Sequence, residues 1–261
     1  MRPFIPPYVT PIVLALVFGL AVWLGRVVFR AAEAADLTPV ARRRVTLTSA
    51  VVLGAWLVLA LASAPSTIPV DATGRSVVPI AFPLFGGGAF LLVVGALILS
   101  DTWRRTVAAI PVERLVATQV FRLIGLIFIP LWAIGTLPAH FALPAGWGDV
   151  AVGITAPLAA LALARRVRGA RLLGLAWNTF GLIDLLSAVG LGTGYLLLLF
   201  RPGTAIEPAG ALTAYPLVLI PTFAVPLGII LHLLTFRALA ARSAAPQGGP
   251  VALSPHGATA R

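Results

Sequence analysis

The chain has no cysteine and no lysine among its 261 residues. Without Cys there are no disulfides, thiolate metal sites, cysteine nucleophiles or cysteine-linked lipid anchors. Without Lys no side-chain amine can form a Schiff base with a carbonyl cofactor. Charge is scarce too: charged residues make up 10% of the chain, against roughly 25% in soluble domains. Only 8 residues are acidic, and the net charge of +11 comes wholly from arginine. Histidine is limited to His140, His232 and His256, too scattered for a metal site and too few within apolar segments for a bis-histidine haem site. No cofactor and no metal are expected.

Apolar residues fill the space left by charge. They make up 59% of the chain, and the mean hydropathy is +1.01. A soluble fold of this size cannot cover so much apolar surface, so much of it is expected to face lipid. Seven stretches are long enough to cross hydrocarbon: Pro11–Val28, Val45–Ala64, Val77–Leu99, Leu115–Leu137, Trp147–Ala164, Leu172–Leu191 and Leu212–Phe236. A helix satisfies its own backbone there. The expected fold is all-α: a polytopic integral membrane protein, a bundle of seven transmembrane helices in residues 1–237. A disordered cytoplasmic tail, 238–261, follows; it is rich in Ala, Pro, Gly and Ser and contains His256.

Arginine alternates between the loops. Arg26, Arg30, Arg42, Arg43, Arg44, Arg104, Arg105, Arg114, Arg165, Arg166, Arg168, Arg171, Arg237, Arg242 and Arg261 fall on one side. Only Arg2, Arg75 and Arg201 fall on the other. The positive-inside rule then puts the N-terminus outside and the C-terminus in the cytoplasm. The charge of span 1 follows its apolar run, so the span is expected to be a retained anchor rather than a signal peptide. An Ala-, Leu-, Arg-, Pro- and Gly-rich chain without Lys suggests a GC-rich bacterial genome, hence a bacterial cytoplasmic (inner) membrane. The arginines are assigned to orientation and anionic headgroups, not to nucleic acid. The lipid bilayer is the expected partner; a membrane-protein partner or a homo-oligomer is compatible with the chain. Tyr8, Trp147, Tyr215 and Trp103 fall near the expected interfaces, whereas Trp56 lies mid-span, outside this aromatic belt.

Arg122 breaks the pattern by lying inside span 4. Gln119, three residues earlier, shares its face. Arg122 either snorkels back to the headgroups or reaches inward to Asp184 or Asn178 of span 6. Asp184 is a carboxylate deep in an apolar span, costly unless protonated, paired or wetted. Trp177, Gly181, Asp184 and Ser187 share one helix face, and its small residues allow close approach of a neighbour. His232 is expected to be interfacial, near the cytoplasmic end of span 7.

Between spans 4 and 5 lie His140 and Gly146-Trp147-Gly148-Asp149. The last four residues resemble the Gly-x-Gly-Asp signature of intramembrane aspartyl proteases, the presenilin-like and prepilin-peptidase enzymes. That resemblance implies two carboxylates sharing a proton around an attacking water, with Asp184 as second member. It covers four residues; the Tyr-Asp and Pro-Ala-Leu elements of those enzymes are missing. Asp149 otherwise reads as the cap of span 5 at the outer boundary, where a carboxylate accepts free amide hydrogens.

Seven spans with the N-terminus outside match rhodopsin and receptor topology, but without Lys no retinal linkage can form. Gly-x-Ser-x-Gly, His-Glu-x-x-His and phosphate-loop motifs are absent as well. The leading expectation is a non-enzymatic protein that binds or translocates a small solute or protons through the bundle. Its candidate site residues are Asp184, Arg122, Gln119, Asn178, Asp149 and His140. A membrane enzyme acting on a lipid-soluble substrate, or a non-catalytic accessory subunit of a membrane complex, are the alternatives.

Overall fold

The structure, a computed structural model, describes residues 3–63, 81–194 and 209–244. These are helical, with no strand among them. Six helical stretches are long and apolar enough to cross a membrane, and a bent pair makes up to seven. At most 56% of the apolar window of any of the six is buried inside the protein. The rest is apolar surface, as a helical multi-pass membrane protein requires. The expected tail lies outside the described residues from position 245 onward.

Helix α1 spans Val9–Ala34 and α2 spans Pro39–Ala62. The start of α2 is set locally. The Thr38 side chain accepts from the Ala41 amide, and Pro39 takes the first helical position, where its missing amide costs nothing. Arg42, Arg43 and Arg44 are therefore helical rather than part of a loop. Helix α3, Ala81–Leu99, turns by 106° into the short α4, Asp101–Ala108. The Ser100 hydroxyl caps α4, and Arg104 donates to the Leu97 and Ile98 carbonyls that end α3.

The fourth span is not one α-helix. It runs as α5, Val112–Thr118, then a 3-10 segment, Gln119–Ile127, then α6, Phe128–Ala133. Nine residues is long for a 3-10 segment, since its bonds are poorly aligned. Helix α7 lies close against it: a Cβ on Gly153 would fall 2.9 Å from the Leu123 backbone nitrogen and one on Gly146 3.2 Å from the Gly125 carbonyl oxygen.

Helix α7 spans Ala139–Ala164, so it starts eight residues before Trp147, where the sequence places the start of span 5. Pro138, Pro144, Gly146 and Gly148 resemble a loop in sequence. Packing overrides them, because Phe141, Ala142, Ala145 and Gly146 are buried. Asp149 is thereby well inside the helix and does not cap it. Helix α8 spans Ala170–Gly192. Span 7 is also broken: a 3-10 turn at Gly210–Thr213, a π-turn at Ile220–Ala224, then α9, Val225–Ala244. Helix α7 is central, packing on α5, the 3-10 segment, α6 and α8, while α9 packs on α8, α5 and α3.

Trp56, which fits no aromatic belt, has a bundle role. Pro226 has no amide to offer the carbonyl of Thr222 four residues before it. The Trp56 indole donates to that carbonyl at 2.9 Å, and its ring meets Phe223 edge-on at 5.2 Å. We expect Trp56→Phe to lower stability by roughly 1–3 kcal/mol, the cost of an unmet buried polar group. Trp23→Phe should cost less, because the Thr118 hydroxyl it leaves still donates to Arg114. Thermal unfolding in detergent compares the two; equal melting points would refute the assignment.

Candidate functional site

A 3-10 segment has three residues per turn, so residues three apart eclipse. Gln119, Arg122, Gly125 and Phe128 thus form one column, and all four are buried. Arg122 does not snorkel, since its side chain is only 1% exposed. All three nitrogens of its guanidinium are engaged. Nε donates to Asp149 Oδ1 on α7 at 2.6 Å, Nη1 to the Gly181 carbonyl on α8 at 2.9 Å, and Nη2 to Asp184 Oδ2 on α8. One cation thereby ties three elements together through two carboxylates and a carbonyl.

Three glycines make room for this centre. A Cβ on Gly148 would collide with the Asp184 carboxylate, and one on Gly125 with the Asp149 side chain. One on Gly181 would lie 2.5 Å from His232 Cε1 and 3.3 Å from Arg122 Nη1. Each gap admits an ionised group between helices that a larger residue would hold apart.

A second polar group lies alongside. Asn178 Nδ2 donates to the His232 carbonyl at 3.0 Å, which turns Asn178 Oδ1 toward His232 Nδ1 at 2.8 Å. Oδ1 can only accept, so Nδ1 of neutral His232 carries the proton and Nε2 keeps a lone pair. His232 is fully buried and packs on Trp177, whose indole donates to Thr155 of α7 at 2.8 Å. His232 therefore lies inside the bundle, on α9, which runs on to Ala244 rather than ending at Phe236. Gln119 Nε2 donates to the Gly228 carbonyl of α9 at 3.2 Å.

Of the residues singled out in the sequence, Arg122, Asp149 and Asp184 converge directly. Gln119 and Asn178 adjoin them. His140 does not join the group: it lies nine residues before Asp149, about 13 Å along α7 at 1.5 Å per residue. No cluster of three metal-ligating side chains occurs among the described residues. Sequence reasoning missed His232 as a site residue and Asp149 as an Arg122 partner. Both errors came from helix ends placed too close to these residues.

The family described as "Domain of unknown function (DUF8737)" matches residues 77–240. The chain belongs to this family. The matched region contains Gln119, Arg122, Asp149, Asn178, Asp184 and His232, whereas α1 and α2 precede it. No curated protein and no solved structure matches the chain.

Removing the guanidinium strands both buried carboxylates and costs roughly 3–5 kcal/mol. Arg122→Met should therefore unfold the protein or sharply lower its melting point. Adding Asp149→Asn and Asp184→Asn to Arg122→Met should restore much of the loss, because no stranded charge remains. Size-exclusion profiles and melting curves of the single and triple variants decide this. A triple variant no better than the single one would mean that charge balance is not what the centre supplies.

Proposed function

We propose that this family member is a seven-span protein of a bacterial cytoplasmic membrane that binds or translocates a small solute or protons at the Arg122 centre. One observation carries the reading: two carboxylates flank a single guanidinium in an apolar bundle. If both are ionised the group bears one excess negative charge. Such a charge is expensive in a low-dielectric interior, and a bound proton or cation cancels it. Ionisable groups inside membrane bundles mark ion and substrate pathways for this reason.

The carboxylates are also the more accessible members. Each is 11% exposed at the side chain, against 1% for Arg122. The protease reading is weaker, because its dyad shares a proton and a water between two carboxylates. Here the Arg122 guanidinium is bonded to both and takes that position.

Orientation follows from the arginine bias: N-terminus outside, C-terminus in the cytoplasm. The absence of native cysteine makes it directly testable. With Ala34→Cys and Ile134→Cys as single introduced thiols, a membrane-impermeant maleimide applied to intact cells should label only the second. The reverse pattern would invert the topology.

Function is tested in proteoliposomes carrying a trapped pH dye. The wild-type protein should dissipate an imposed pH gradient faster than protein-free vesicles do. Asp149→Asn and Asp184→Asn should fall to the protein-free rate while keeping the wild-type elution profile. Wild-type rates in both variants would remove the centre from the path.

A further inference from the structure

The polar atoms around Arg122 are unevenly matched. Buried hydroxyls in the bundle spend their donors on their own helices: Thr118 on Arg114, Thr222 on Val218 and Thr235 on Leu231. Among the described residues three buried side-chain atoms have no hydrogen-bond partner: His140 Nε2, away from the centre on α7, and two beside the centre, Gln119 Oε1 and His232 Nε2. Gln119 is 1% exposed and His232 is 0% exposed. Both atoms are acceptors, Oε1 by its chemistry and Nε2 through the tautomer that Asn178 imposes. Buried acceptors in this state are rare, because an unmet one costs about 1–3 kcal/mol.

Their positions relate them to the ion group. Gln119 is one 3-10 turn from Arg122, and its Oε1 lies 3.9 Å from the Cβ position of Gly228. His232 is one α-turn from Gly228 on the same helix, and its Nε2 lies 2.8 Å from the Cβ position of Gly181. That same position is 3.3 Å from Arg122 Nη1. Both acceptors therefore lie where the 3-10 segment, α8 and α9 meet. Unmet acceptors call for a partner with hydrogen-bond donors, and two ionised carboxylates around one guanidinium would favour a positively charged one.

We propose that the centre binds a small cation carrying its own N–H or O–H donors, ammonium or hydronium, with Gln119 Oε1 and His232 Nε2 as acceptors beside the carboxylates. A donor-bearing cation meets both acceptors by hydrogen bonds, whereas a bare metal ion would have to coordinate them, and no cluster of three metal-ligating side chains occurs among the described residues. The inference rests on the reading of the centre as a solute or proton site and adds the class of solute.

The experiment has a binding arm and a flux arm. In the first, the full-length protein in detergent is melted with ammonium, sodium, potassium or tetramethylammonium chloride at equal ionic strength. A ligand of the native state raises the melting point with concentration. A rise confined to ammonium, and smaller in Gln119→Met and His232→Phe, supports the ammonium form. In the second arm, proton flux is measured in ammonium-free proteoliposomes. Flux in the wild type that falls in both variants supports the hydronium form.

Equal stabilisation by sodium or tetramethylammonium would overturn the proposal, since charge alone would then suffice. So would an unresponsive melting point together with flux that ignores both substitutions. The wild-type salt comparison stands even if a variant fails to fold. Ammonium binding without flux would sink transport and keep the site; flux indifferent to Gln119 and His232 would do the opposite.

Discussion

A guanidinium inside an apolar bundle constrains everything around it. Taking its charge out of water costs several kcal/mol, and each carboxylate brought to it carries a similar cost. The attraction between close opposite charges, about 4 kcal/mol at 4 Å with an effective dielectric of 20, repays this only in good geometry. Arg122 meets that condition with two carboxylates and a carbonyl from α7 and α8. Several irregularities of the fold lie at this contact. The 3-10 segment aligns Gln119, Arg122 and Gly125 on one line, and Gly125, Gly148 and Gly181 clear the space for the charged groups. The early start of α7 carries Asp149 to the right depth.

Elsewhere the bundle avoids polar contacts between helices or confines them to single bonds. Hydroxyls turn back on their own backbones, and indoles bridge where prolines or neighbouring hydroxyls need a partner. Trp56 serves the Thr222 carbonyl, Trp23 the Thr118 hydroxyl and Trp177 the Thr155 hydroxyl. Two further ion pairs among the described residues, Arg104 with Asp101 and Arg242 with Glu113, lie toward the surface and contribute little, as surface pairs do. Electrostatic consequence is thus concentrated in one place, which is the reason for locating function there.

The charge count gives that place a direction. A guanidinium with one carboxylate would be a neutral tie between helices. A second carboxylate makes the group an electrostatic acceptor, and Gln119 and His232 add unmet acceptors on its flank. The proposed binding role draws on that surplus.

Much of the fold was legible in the chain because membrane solvation acts on composition directly. Apolar length follows from hydrocarbon thickness, and scarce charge must lie in loops or be paired, so long helices and an odd Arg122 opposite Asp184 could be read residue by residue. Helix ends could not. Pro138, Pro144, Gly146 and Gly148 are loop-formers by local propensity, and only the packing of Phe141, Ala142 and Ala145 makes them helical. Asp149 was misplaced for that reason, and His232 was passed over because α9 was expected to end at Phe236. By itself, the sequence determined the helical class and singled out Arg122 as an arginine within an apolar span, since both are set by the transfer of single residues from water. The tertiary structure decided the second carboxylate, the 3-10 column and the unmet acceptors, because these depend on how closely separate helices approach one another.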